Sequence, residues 1–136
     1  MYGKSINNIS DRRSEFYFSK GHTWVQKNIY GLIKFGITDY WTIHYGELYI
    51  VEIVNTPKVI KADDEIIQLK CGIESIIIPS PLSGVLMFIN PNIKGRKIVE
   101  PFHEDWIGLI KANDFIQGRA KMVNANVYAK QLNSIH

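Results

Sequence analysis

Cysteine occurs once in these 136 residues, at Cys71, so the chain holds no internal disulfide. Long apolar runs are missing: none approaches the roughly 20 residues of a membrane-spanning helix. The opening MYGKSINNISDRRSEF also lacks the apolar stretch of a secretory signal. These absences point to a cytoplasmic protein without membrane attachment. Basic residues do not cluster beyond Arg12-Arg13, and the net charge of +3 is spread along the chain, which offers nucleic acid no patch to hold. Signatures of catalysis are lacking as well, with no glycine-rich phosphate loop, nucleophile elbow, Cys-x-x-Cys or His-x-x-x-His. His103-Glu104-Asp105 offers mixed metal ligands, but adjacent residues on a loop rarely point at one centre. A solvated acidic turn is expected there, and no metal.

What is present is an ordinary globular composition, 46% hydrophobic and 21% charged, at a length that suits one domain with a core able to fold alone. Residues 1–14 are polar and show no period, and are expected to form a flexible extension to a single domain over 15–136. The most informative stretch is Asp63 to Val85, DDEIIQLKCGIESIIIPSPLSGV. Two β-branched runs, Ile66–Leu69 and Ser75–Ile78, flank a break at Lys70-Cys71-Gly72, which predicts a hairpin. Gly72 supplies the positive φ of a tight tip, and Pro79-Ser80-Pro81-Leu82-Ser83-Gly84 forces a second turn at the base.

Other elements follow the same logic. A strand is expected from Trp24-Val25, after a turn at Lys20-Gly21, with its partner over Tyr30–Ile37 beyond a turn near Lys27-Asn28. Thr38 caps a short helix that Gly46 stops. Leu48–Val54, Val85–Asn90 and Ile107–Lys111, the last opened by Trp106, read as strands. Asp114 caps a helical turn through Phe115 and Ile116, Gly118 interrupts it, and a second helical piece spans Ala120–Leu132 before Asn133–His136 frays. His22 and Trp24 are expected as structural residues, a hydrogen-bonded histidine beside a core indole.

The hairpin and its surroundings resemble the glycine cleavage system H protein family of lipoyl/biotinyl-type domains. In that family an apolar strand leads into Glu-Ser-Val-Lys-Ala, and a Ser-Pro-Val-Ser-Gly turn follows seven residues after the lysine. Ser80-Pro81-Leu82-Ser83-Gly84 matches the turn, and counting back seven gives Ile73 where the family carries its lipoyl-lysine. The family's glutamate and serine fall on Lys70 and Cys71. Ser19-Lys20-Gly21-His22-Thr23-Trp24-Val25 is similar to the family's first-strand signature, Gly36-Ile37-Thr38-Asp39-Tyr40 matches its pre-helix segment, and the match runs ungapped from Phe35 to Gly84. Val99 to Trp106 resembles a later family segment, with His103, Glu104 and Asp105 replacing its glycines.

The resemblance implies a mainly β barrel-sandwich hybrid of two small sheets, with a short helix after Gly36 and a C-terminal helix. It also implies a non-enzymatic role. In the family the lipoyl arm collects an aminomethyl group from glycine decarboxylase, presents it to the aminomethyltransferase and is reoxidised by dihydrolipoyl dehydrogenase. Ile73 is not modifiable, so the leading expectation is a non-lipoylated binding or accessory protein that works with glycine cleavage or lipoate-handling enzymes and holds no cofactor. Two alternatives stand beside it. Lys70 offers a primary amine three positions away, on the shoulder where lipoyl ligases read the apex, and lipoate is expected only if it is modified. Cys71, beside the Lys70 ammonium, has the setting of a thiol carrier or redox group, or of a small residue docked at the sheet edge.

Overall fold

The computed structural model describes residues 16–27 and 30–134. The expected extension over 1–14, Asn28 of the expected turn, and Ile135–His136 of the expected fraying end lie outside the described residues. Strands β1 (Phe16–Phe18), β2 (Thr23–Lys27) and β3 (Ile33–Ile37) form an antiparallel meander. β3 starts at Ile33, later than the expected Tyr30, because Gly31 takes φ 79° and spends residues 30–32 on a turn. Helix α1 (Asp39–Tyr45) follows, with the Thr38 side chain accepting from the Tyr40 N–H and Gly46 ending it at φ 81°.

The remaining strands are β4 (Tyr49–Ile53), β5 (Lys58–Ile60), β6 (Glu65–Cys71), β7 (Glu74–Pro79), β8 (Gly84–Ile89) and β9 (Gly108–Ala112). β9 begins at Gly108, beyond Trp106 and Ile107; the Ile107 N–H still donates to the Phe35 carbonyl at 2.8 Å, but Gly108 is the first residue in the ladder with β3. Two antiparallel sheets result, one in the order β1-β2-β3-β9-β8-β5 and a smaller one in the order β4-β6-β7. The chain is thus mainly β, two sheets with a short helix after Gly36 and a helix at the C-terminal end, as expected.

The C-terminal helices depart from the sequence reading. Helix α2 (Phe115–Gly118), capped by Asp114, gives way to a 3-10 turn over Arg119–Lys121, and helix α3 (Ala125–Ser134) begins five residues after the expected Ala120. Tertiary pairing overrides propensity here. Val123 forms a bridge with Phe18, each donating its N–H to the other's carbonyl, and Asn124 then caps α3 by accepting from the Val127 N–H at 2.9 Å.

Among the described residues, buried side chains form two clusters. Val25, Phe35, Leu48, Leu69, Ile78 and Leu86 belong to the one between the sheets. Trp24, Phe16, Phe18 and Phe102 belong to the other, with Tyr128 and Leu132 of α3. β2 therefore has a core on each face, which explains why four consecutive residues, Thr23 to Gln26, are buried. At about 1.5–3 kcal/mol per large apolar side chain, each cluster contributes substantially to holding its elements together. Trp24 is fully buried, its indole N–H donating to the Pro101 carbonyl at 2.9 Å, and its ring lies so close to Gly36 that a Cβ there would approach within 2.8 Å.

Candidate functional site

β6 and β7 pair from Ile67↔Ile78 to Cys71↔Glu74 and leave a two-residue loop, Gly72-Ile73. Gly72 takes φ 59° and Ile73 stays out of the left-handed region, the pattern of a type II′ turn, whose twist matches that of the flanking strands. Ile73 is 97% exposed, the apex of a projecting hairpin. Directly behind it the inward residues Leu69, Ile76 and Ile78 are buried between the sheets, so the loop stands on a packed base.

Both ends of the hairpin are fixed. At the base, the Asp63 N–H donates to the Ser80 carbonyl at 2.8 Å and the Ser80 N–H to the Asp64 carbonyl at 2.7 Å. The buried Ser80 hydroxyl donates to the Leu82 carbonyl at 2.7 Å, which shapes the Ser-Pro-Leu turn. Near the tip, the Cys71 thiol donates to the Tyr45 carbonyl at 2.6 Å, tying β6 to the last residue of α1. Lys70 is exposed and sits in the ladder between Tyr49 and Ser75, with Cys71 between it and the loop. Beyond it, the Lys97 ammonium holds the Glu47 carboxyl at 2.8 Å, lowering the pKa of the acid and raising that of the amine through that hydrogen bond and its charge. Both side chains face solvent, so the pair adds little to stability.

A cleft of about 390 Å³ opens beside the hairpin base, between the turn at Ser19–Gly21, the Pro79–Pro81 segment and Lys121-Met122. Next to it, His22 adopts φ 58°, stacks on Tyr40 at 3.7 Å between ring centres, and meets the Tyr128 hydroxyl through Nδ1 at 2.7 Å. That hydroxyl also lies 2.7 Å from the Thr38 hydroxyl. Burial of the imidazole, with His44 nearby, pushes the His22 pKa below its ordinary value. The expected structural roles of His22 and Trp24 agree with these contacts.

His103, Glu104 and Asp105 do not converge. Asp105, expected as part of a solvated turn, is fully buried: it accepts from the Val99 and Glu100 N–H groups at 2.8 Å each and meets Arg96 Nε at 2.6 Å. It organises the 91–106 loop, a role that acids in a polar stretch do not announce. Among the described residues no three His, Cys, Asp or Glu side chains are grouped to hold a metal ion, and no helix is long and apolar enough to cross a membrane. Cys71–Tyr45 and His22–Tyr128 were also beyond sequence reasoning, the second because its residues are 106 positions apart.

A family model described as glycine cleavage H-protein matches residues 16–135. The chain belongs to the glycine cleavage H-protein family. It is 31% identical over 125 residues to a probable glycine cleavage system H protein of Pyrococcus furiosus, across 88% of this chain and 90% of that protein. To the glycine cleavage system H protein of Bifidobacterium longum it is 27% identical over 116 residues, covering 83% and 82%. The crystal structure of a glycine cleavage system H protein from Mycobacterium marinum superposes with a TM-score of 0.74 at 16% identity, across 88% of this chain and 97% of that one, a likeness of fold. The family consists of lipoyl carriers and not catalysts. Its motifs fall here on the supports of the hairpin: Ser19–Val25 and Gly36–Tyr40 build the wall of His22, Trp24 and Tyr40, and Ser80–Gly84 sets the base.

Proposed function

We propose that this H-protein family member acts as a non-lipoylated binding or accessory protein in glycine catabolism, docking with glycine cleavage or lipoate-handling enzymes in the cytoplasm. The observation that carries this reading is the apex itself. Ile73, 97% exposed on a type II′ loop, stands at the presenting position of the hairpin and has no nitrogen to acylate. A lipoyl group does not fit an isoleucine, whose side chain has no amine to bear a swinging arm. The hairpin around it keeps a braced base and a tip tied to α1, which supports retention of the surface that partner enzymes recognise.

Carriage through Lys70 is the second reading, favoured by one observation: its side chain is exposed. It lies within the ladder, however, opposite Tyr49 and Ser75, and not on the loop. A thiol role for Cys71 has less support, because its sulfur is directed at the Tyr45 carbonyl. The test is the intact mass of the protein purified from its native host, with peptide mapping across residues 65–79. An unmodified mass, from cells whose other lipoyl proteins are fully modified, is expected. A lipoyl-sized addition on Lys70 overturns the proposal and makes the chain a carrier with a displaced site.

A further inference from the structure

Each sheet ends in strands whose outer backbone groups need a partner or a guard. β1 is bridged by Val123, and the outer edge of β4 is covered by the 94–98 loop, which donates from Gly95 to Ile50 and from Ile98 to Leu48. β5 has three residues and begins with Lys58. β7 is different. It has six residues, pairs with β6 alone, and meets no other strand among the described residues. Its middle, Ser75-Ile76-Ile77-Ile78, carries no charge, and the bulge at Ile66 that bends this part of the sheet lies on β6. The usual guards of lysine, inward charge and edge bulge are absent from that stretch; Pro79 at its end is the exception.

The register says which groups are open. In a two-residue hairpin the closing pair, Cys71 and Glu74, is hydrogen-bonded, and antiparallel alternation then assigns ladder bonds to Leu69↔Ile76 and Ile67↔Ile78. The N–H and C=O groups of Ser75 and Ile77 therefore point away from β6. A second copy running antiparallel about a two-fold axis through Ile76 sets Ser75 opposite the second copy's Ile77, and Ile77 opposite the second copy's Ser75. All four open N–H groups find carbonyls. On the outer face the same operation brings only uncharged side chains together at the seam. The cross-strand rows of that face are Tyr49, Lys70, Ser75 and then Glu52, Gln68, Ile77. The two-fold sets Ser75 beside the second copy's Ile77, and the 44% exposed Ile77 side chains come together diagonally at the seam.

We infer that β7 is a homodimerisation edge, through which two copies of this chain join their three-stranded sheets into one continuous six-stranded sheet. Both hairpin apices stay at the outer ends of the joined strands, free for other contacts. The interface is small, which places it in the weak, transient class.

Sedimentation velocity across a concentration series tests this directly. The wild-type chain is expected to shift from the mass of one chain, 15.6 kDa, toward twice that value as concentration rises. Ile77→Pro removes an outward N–H and no ladder bond to β6, so it should keep the wild-type circular dichroism and stay monomeric throughout. Ile77→Lys, which leaves the backbone intact and sets two ammonium groups at the seam, is expected to be monomeric at low salt and decides the matter if the proline variant does not fold. A wild-type chain that remains monomeric at the highest concentration overturns the inference, as does a folded Ile77→Pro or Ile77→Lys chain that dimerises like wild type.

Discussion

Substituting Ile73→Lys is the most direct perturbation of the proposed function, because it asks whether the surface around the apex is still that of a carrier. The structural cost is small. At 97% exposure the isoleucine makes almost no packing contact, and its φ is one that lysine adopts freely. Surface changes of this kind stay within about 0.5 kcal/mol, which for a chain of this size moves Tm by about 1–3 °C. Any gain of modification therefore reports recognition and not a change of fold. The assay is incubation with lipoate, ATP and a lipoate ligase, read by intact mass and by peptide mapping over residues 65–79. Wild type should remain unmodified, Ile73→Lys should gain one lipoyl-sized addition at position 73, and the double variant Ile73→Lys/Lys70→Arg should match it. Two results refute the reasoning: a folded Ile73→Lys chain that the ligase ignores, which means the docking surface has been lost, or wild-type modification at Lys70.

Three further outcomes test the supports. Asp105→Ala removes the acceptor of two buried N–H groups and the partner of Arg96, and should lower unfolding free energy by about 2–4 kcal/mol in urea titration, while Arg96→Met, whose side chain is 44% exposed, should cost about 1 kcal/mol. Gly36→Ala drives a methyl into the Trp24 ring, for a loss of about 1–3 kcal/mol and a shift in tryptophan fluorescence. Because the native His22 pKa lies below the ordinary 6.5, the unfolded chain takes up the proton first as pH falls. Its contribution is full above 6.5 and is lost as pH drops through the native value, so Tm should decline with acid across that window, and His22→Gln should flatten the decline; an unchanged slope in the variant refutes the assignment.

The legible parts of this chain were those set by local chemistry. Gly72 between two β-branched runs fixed the hairpin because a two-residue II′ loop needs glycine first, and Thr38 with Gly46 bounded α1 through caps that act within a turn. Ile73 as the presenting position came instead from the family resemblance, by counting back seven from Ser80, and the expected break at Lys70-Cys71-Gly72 is shorter because β6 runs on through Cys71. The failures share the opposite cause. α3 begins at Ala125 because Val123 bridges to Phe18, over a hundred positions earlier, and no window around Ala120 carries that information. Asp105 is buried because Arg96 and two N–H groups converge on it in a folded loop, whereas in sequence it sits between a glutamate and a tryptophan in a polar stretch. β7 was predicted as a strand, but its position at the sheet end depends on long-range order, and so did its open edge.

The hairpin separates shape from chemistry, and this explains how a carrier family can hold a member with isoleucine at its apex. Stability comes from Leu69, Ile76 and Ile78, buried between the sheets, and from the Asp63–Ser80 and Cys71–Tyr45 hydrogen bonds. Gly72 supplies the turn. Position 73 contributes to none of these, so folding places no demand on it, and only a modifying enzyme or a docking partner can. An exposed isoleucine at the furthest point of a rigid support then presents apolar area to whatever approaches, where an acylated lysine would present a long polar-tipped arm. If docking partners read the braced walls of the hairpin, Ile73→Lys restores a substrate for the ligase without disturbing them. If they read the apex itself, the same substitution abolishes their binding while restoring modification, and the two assays on one variant tell these cases apart.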